Sequence, residues 1–372
     1  MQTIPRAARR RRSPRIAPPL RRACAALVAG VAAISCAGAP PAAPADEPPP
    51  LPVAVTNHAV AAGIAGGRWQ LFAMLGVDST RRWAGITRRA WAWAEGDARW
   101  RALPPVPGDA GRLAATAQVV RGRVYLLGGY TVDSAGRERS VAAVDIWDPG
   151  AQAWRAGRPI PVPVDDAISG VHRDSLIYLV SGWHDTDNVR DVQVYDVAAD
   201  RWSVGTPIPG PGVFGHGGGM AEGTIVFIDG ARRSAGGPRY VNESQAWMGV
   251  VDSLSPTSIA WTRLPDHPPP VRYRPAVASC GRFVVFAGGT DNPYNYDGIG
   301  YDGVPSAPLA GAMAYDTRQR VWLLVPSAPA ATMDHRGLVI RRDTAWIAGG
   351  MGEGRVVRRS VVRWRLGTCP LR

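Results

Sequence analysis

The sequence predicts an all-β fold, a closed six-bladed β-propeller, from three observations. A short apolar run ending in glycine recurs six times, a tryptophan recurs at a fixed distance after a turn, and a proline-marked segment follows each tryptophan. Composition agrees: 43 Gly, 34 Pro and 14 Trp among 372 residues suit many short strands and turns better than a helical bundle. With 46% hydrophobic and 20% charged residues, the chain can bury a sizeable core and does not read as disordered.

The apolar runs are Gln70–Gly76, Val124–Gly129, Ile177–Gly182, Ile225–Gly230, Val284–Gly289 and Ala345–Gly350, with their final glycines 53, 53, 48, 59 and 61 residues apart. A period of about 50 residues is that of one four-stranded propeller blade per copy. In the second half of each unit a strand ends in an acid and a Trp stands six residues later: Asp148 and Trp154, Asp196 and Trp202, Asp316 and Trp322. The fourth unit stretches this to Asp252 and Trp261, and the first has Ala94 before Trp100. The acid is expected to accept backbone hydrogen bonds in its turn, and the Trp to pack between neighbouring blades.

Outer strands follow at Leu103-Pro104, Ile160-Pro161, Ile208-Pro209, Leu264-Pro265 and Val325-Pro326, where proline fits a sheet edge. The sixth such pair, Leu51-Pro52, stands before the first unit, whereas the last unit ends at Trp364-Arg365-Leu366 without one. An N-terminal strand completing the last blade is therefore expected to close the ring and remove the open seam.

Before the repeats, eight Arg lie within the first 22 residues, no acid precedes Asp46, and Ala23–Ile34 is an apolar run too short to span a membrane and suited to a secretory signal. Ala33-Ile34-Ser35-Cys36-Ala37 resembles a bacterial lipoprotein cleavage box, with Cys36 as the lipidation site; ordinary cleavage after Ala39 is the alternative. The expected organisation is a signal peptide over 1–36, a Pro/Ala-rich tether over 37–50 and the propeller over 51–372. The expected location is the periplasm or cell envelope of a bacterium, with a lipid anchor on Cys36 as the only membrane contact.

The net charge of +13 falls to +5 without the N-terminal arginines, and all 43 basic residues are Arg, scattered among acids in the body. That distribution lacks the basic stripe of a nucleic-acid-binding protein. Two cysteines remain in the body, Cys280 and Cys369; a disulfide and two buried thiols are both open readings.

The glycine and Asp/Trp spacings resemble Kelch repeats across roughly residues 51–366. The whole layout is similar to the bacterial N-acetylneuraminate epimerases, exported six-bladed propellers that catalyse sialic acid mutarotation. That resemblance implies a glutamate after the fourth-unit glycine and an arginine some residues on. Here Ala231 holds the glutamate position and Arg239 stands in for the arginine; a methyl group cannot transfer a proton. The remaining catalytic candidates are Arg239, Glu243 and Asp302. A second Kelch-type family, galactose oxidase, needs a Cys–Tyr crosslink and copper ligands. Cys280 falls in a turn on the opposite face, so neither copper nor another cofactor is expected.

Ligands of propellers usually sit on the face shared by the blade-to-blade connections and the loops after the second strands. Residues entering the innermost strands there, His58, Arg112, Asp166, His216, Arg274 and Arg336, form a candidate polar ring. Trp183, His184 and the Arg232-Arg233 pair come from loops on the same face. The loop over 290–303 is long and carries Tyr294 and Tyr296, whose stacking faces beside Asn and Asp suit a sugar. A three-histidine metal site from His58, His216 and His335 has no local spacing to support it. The expected function is binding of a carbohydrate, an anionic small molecule or a partner protein. The alternative is a sugar-acid mutarotase; as an enzyme the protein would be an isomerase.

Overall fold

The computed structural model describes residues 47–367 and Cys369; the expected signal peptide, Cys36 and most of the tether lie outside them. The apolar runs fold as the second strands of six antiparallel sheets. Blade 1 contains Ala59–Ala65, Arg68–Met74, Ala90–Ala94 and Arg101–Leu103 in spatial order. Blades 2 to 5 repeat this, beginning at Thr116–Val120, Ile168–His172, Gly217–Ala221 and Ala276–Cys280. Blade 6 has three strands, Val339–Arg341, Thr344–Ala348 and Val361–Arg365. The innermost strands of blades 1 and 6 touch, so the ring is closed.

The final glycine of each run has a structural reason. Gly76, Gly129, Gly182, Gly230, Gly289 and Gly350 all have positive φ. A Cβ there would lie 2.5–3.0 Å from the carbonyl oxygen of Thr56, Leu113, Asp165, Phe214, Tyr273 or Met333. These carbonyls belong to the segments that enter the blades, and only glycine lets the backbones approach so closely. The residue after each glycine then forms an antiparallel bridge with that entering residue, from Thr56 with Val77 round to Met333 with Met351.

One residue later each entering segment adopts a left-handed conformation: Asn57, Ala114, Asp166, Gly215, Arg274 and Asp334 have φ between 50 and 70°. Their backbones pass hydrogen bonds round the axis. Ala114 N–H donates to Asn57, Asp166 to Ala114, Gly215 to Asp166, Arg274 to Gly215 and His335 to Arg274; Asn57 N–H closes the circle on Asp334.

The turn acids act as expected. Asp148, Asp196, Asp252 and Asp316 each accept two backbone N–H bonds inside their turns, at 2.8–3.2 Å. Every repeat Trp bolts its blade to the preceding one. The indole N–H of Trp154 donates to Pro104, Trp202 to Arg158, Trp261 to Thr206, Trp322 to Pro265 and Trp364 to Pro326, at 2.9–3.1 Å.

At the seam the structure differs from expectation. No strand is formed among the described residues before Ala59. Instead an irregular segment runs along blade 6: Leu51 N–H donates to Arg359 at 2.7 Å and Val55 N–H to Arg358 at 3.2 Å. Pro49 accepts the Trp100 indole at 2.8 Å, so Pro48 and Pro49, assigned to the tether from sequence, already belong to the ring. Prolines at 48, 49, 50 and 52 lack the N–H groups that a ladder strand needs. Cys280 and Cys369 form a disulfide across 89 residues, tying the chain end to blade 5.

Ala114→Gly should be neutral or stabilise by up to about 1 kcal/mol, because it relieves a left-handed alanine. Gly215→Ala should destabilise, because its Cβ would collide with the Tyr273 ring; urea denaturation of both variants measures the contrast. Replacing Cys280 by Ser should lower the unfolding free energy by about 2–4 kcal/mol, and reducing agent should then have no further effect.

Candidate functional site

The entering segments bring charged side chains together beneath the loop face. Asp166 is 3% exposed and Arg274 2%. Arg274 Nη2 lies 2.5 Å from Asp166 Oδ2, and its Nη1 is 3.0 Å from Asp334. Arg336 also pairs with Asp166 and donates to Asn57 at 2.9 Å, while Thr56 donates to Asp334 at 2.8 Å. Burial alone would raise the pKa of Asp166; Arg274 and Arg336 outweigh it and hold the carboxyl below the usual range. Two arginines and two aspartates thus tie blades 1, 3, 5 and 6 together with no net charge, which is what makes their burial tolerable.

This cluster takes up three members of the candidate polar ring, Asp166, Arg274 and Arg336. All six members are buried or half-buried and most are used up by the protein itself. Arg112 donates to the Gly128 carbonyl at 3.1 Å and pairs with Asp145. His58 and His216 are held neutral by burial, each lowered from 6.5 to about 4. His335 behaves likewise, at about 3. Among the described residues no group of three His, Cys, Asp or Glu side chains is placed to hold a metal ion.

On one side of the cluster lies an axial channel of about 270 Å³, lined by the innermost strands and by Asp166, His216, His335 and Arg336. On the loop face lies a separate cavity of about 300 Å³, lined by Glu138, Trp183, Arg239, Tyr240, Asn295 and Tyr301. Three small hairpins and one long loop build it. Tyr130–Val132 pairs with Glu138–Ser140 in blade 2, Trp183–His184 with Asp187–Asn188 in blade 3, and Ala231–Arg233 with Tyr240–Asn242 in blade 4. The loop over 290–303 supplies Asn295 and Tyr301 from blade 5.

The walls are aromatic and interlocked. Tyr240 packs edge-on against Trp183 at 5.2 Å and against Tyr301 at 4.5 Å, and the Arg239 guanidinium lies 5.0 Å over the Tyr240 ring. Glu138 stands on an exposed hairpin, yet its carboxyl faces protein. Loss of solvent there raises its pKa, with Asp166 adding to the rise and Arg274 and Arg239 opposing it.

Of the residues singled out from sequence, Trp183 and Arg239 line this cavity, and Asp166 and Arg274 line a smaller chamber of about 20 Å³ that shares Glu138, Trp183, Tyr240, Asn295 and Tyr301 with it. The others do not join them. Glu243 is paired with Arg232 at 2.5 Å on the hairpin flank. Asp302 is exposed and caps a turn of the long loop, bonding Asn292 and the Val304 N–H. His184 bonds the Pro163 carbonyl at 2.7 Å. Tyr294 is fully buried, its ring 5.1 Å from the Arg274 guanidinium. Tyr296 packs half-buried against Val77, Leu113 and Tyr130. Ala231 sits in the bridge position opposite Phe214, fully buried. Glu138, Tyr240, Asn295, Tyr301 and Asp165 were missed. The 14-residue interval between Gly129 and Val144 was the available signal for Glu138, being too long for a bare turn.

No protein-family model matches the chain. A curated protein, the Kelch-like protein terF of Aspergillus terreus, is 27% identical over 248 residues, 65% of this chain. The chain spans about half the length of that relative, 51%. The solved structure of YjhT superposes with a TM-score of 0.69 at 15% identity, covering 87% of this chain and 98% of that one. The protein therefore has a Kelch-like homologue and a six-bladed propeller fold shared with YjhT.

The neutral histidines make stability pH-dependent. Their folded pKa values lie below the unfolded value of 6.5, so the unfolded state binds more protons below that pH. Their stabilising contribution is complete above 6.5 and is lost as pH falls towards 4, by up to about 1.4 kcal/mol per pH unit per histidine. A thermal-unfolding series from pH 7.5 to 4.5 should show the decline, and His216→Gln should make it shallower.

Proposed function

We propose that the protein is an exported propeller that binds a small sugar-like ligand carrying an anionic group in the loop-face cavity. The observation that carries this reading is the convergence of Arg239, Glu138 and Asn295 with three aromatic walls on one cavity from four different blades. A volume of about 300 Å³ suits a monosaccharide-sized molecule. Aromatic faces cover the C–H side of a sugar, while planar amide, carboxylate and guanidinium groups pair with its hydroxyls. Arg239 offers a fork for a ligand carboxylate. Export is supported by the Cys280–Cys369 disulfide, a bond that persists in oxidising compartments. Lipidation of Cys36 and a periplasmic or cell-envelope location belong to the same proposal.

A second reading, mutarotation of a sugar acid, is favoured by one observation. Although Ala231 leaves the expected glutamate position empty of an acid, Glu138 supplies a carboxyl to the same cavity as Arg239. The layout similar to N-acetylneuraminate epimerases points to the same chemistry.

Ligand-observed NMR with the purified protein tests the binding reading. Sialic acid should show line broadening, and Arg239→Ala should weaken it at least about tenfold, the order expected for a lost charge-assisted pair. A neutral hexose should be affected less by that variant. Absence of broadening for sialic acid, a uronic acid and neutral hexoses alike would remove the sugar reading and direct attention to a protein partner on this face.

A further inference from the structure

Blade 6 carries the net charge of the ring. Residues 338–367 hold seven arginines against two acids, Asp343 and Glu353. Their balance of +5 equals that of the whole chain without its N-terminal arginines, so the rest of that body sums to zero. Two of the seven are ion-paired, Arg341 with Glu95 at 2.8 Å and Arg363 with Glu47. Arg342, Arg355, Arg358, Arg359 and Arg365 have no carboxylate within ion-pairing distance among the described residues. Unpaired like charges gathered on one blade repel each other, and the packing of the blade does not call for them.

The sheet arranges these residues, dispersed along the chain, as a stripe. Val361–Arg365 is the outermost strand of the blade. Strand alternation buries Val362 and Trp364 and exposes Arg363 and Arg365 on the opposite side. Arg365 pairs in register with Thr344, and Thr344 with Arg341, so the turn holding the exposed Arg342 adjoins Arg365. Exposed Arg359 stands two residues before the strand, at most about 20 Å along the edge from Arg365. In the adjoining loop Val356 is 61% exposed beside Arg355, an apolar tip next to a cation.

The N-terminal segment joins the ring at this same edge. Leu51 N–H meets the Arg359 carbonyl at 2.7 Å, and the Glu47 carboxylate meets Arg363. The segment thus runs antiparallel to the edge strand, and residues 36–47 lead away from the stripe. Their span is at most about 40 Å, so a lipid on Cys36 would hold this edge close to a bilayer.

We propose that the outer edge of blade 6 docks on a bilayer surface bearing anionic phospholipid. The guanidinium forks pair with headgroup phosphates, and the charge needs no acyl anchor to act. The proposal extends the reading of the protein as exported and is independent of the sugar site. The loop-face cavity is built by blades 2 to 5, so it stays open to solvent when blade 6 faces lipid. A nucleic-acid duplex would answer the charge as well, but neither the lipoprotein cleavage box nor the exposed Val356 suits one.

Co-sedimentation with lipid vesicles tests this. The purified chain from residue 37 contains the whole closed ring and neither a lipid nor the N-terminal arginines. It should bind vesicles of phosphatidylglycerol and phosphatidylcholine in equal parts, bind pure phosphatidylcholine far less, and be released by about 0.5 M salt. Each arginine near such a surface contributes about fivefold, so Arg342→Glu, Arg359→Glu and Arg365→Glu combined should weaken binding at least about 100-fold. Arg155→Glu, Arg173→Glu and Arg201→Glu combined change the net charge equally on exposed positions of blades 2 and 3 and should weaken it far less. All six positions are exposed, and near-UV circular dichroism checks that both variants fold. Equal binding to both vesicle types, wild-type binding by the blade 6 variant, or an equal loss in both variants overturns the proposal. So does binding of a DNA duplex as tight as that of the mixed vesicles, which would mark a surface for polyanions at large. Line broadening of sialic acid reports separately on the sugar reading, whichever way the vesicles decide.

Discussion

The structure depends on a circle of six left-handed residues around its axis. Asn57, Ala114, Asp166, Gly215, Arg274 and Asp334 each turn the chain sharply into an innermost strand, and backbone hydrogen bonds link them round the axis, with His335 making the link from blade 6 to Arg274. Left-handed backbone is unfavourable for residues with a Cβ, so the circle must be held from outside. The six glycines that follow the second strands do this by letting those strands press directly on the entering carbonyls. Three of the six circle positions carry Asp166, Arg274 and Asp334, whose side chains clamp the circle from within. Backbone strain, glycine placement and buried charge are one device repeated and then specialised.

That device also decides where chemistry can occur. The ion cluster lies between the axial channel and the small chamber that adjoins the loop-face cavity, because Asp166 lines both. A ligand on the loop face therefore meets a floor rather than a pore. The cluster beneath the cavity is neutral overall, and it places Asp166, whose carboxyl the arginines hold below the usual range, next to Asp165, whose carboxyl burial holds above it. Neighbouring carboxyls with pKa values pushed in opposite directions are a common way to obtain an acid and a base from one residue type. The walls are set differently, by hairpins that grow from blades 2, 3 and 4 just after the glycines and by the long loop of blade 5.

The seam shows how far a repeat can be incomplete. Among the described residues blade 6 has no outer strand, yet Trp100 finds its acceptor in Pro49 just as Trp154 finds Pro104. The contact that matters for closure is the tryptophan bolt, which needs one carbonyl in the right place, and a proline-rich segment can supply that without a ladder. The disulfide adds a covalent tie at the other end of the chain.

The six blades, their strand order and the roles of Asp148, Trp154 and their equivalents were legible in the sequence, because each depends on contacts that recur at a fixed spacing. Periodicity also located the entering segments and placed Arg274 and Asp166 among the six members of the candidate polar ring. It did not reveal whether those side chains face a ligand or each other, since their partners lie 108 and 60 residues away. Arg239 and Trp183 were found because they stand beside a glycine landmark or in a resemblance. Glu138 and Asp165 were not, because one sits in a hairpin outside the repeat and the other is a single departure inside it. The sequence by itself determined the ring, through local turn chemistry and a repeated packing rule. Only the tertiary structure decided the site, because a propeller assembles it from loops of four blades whose convergence no single stretch of chain encodes.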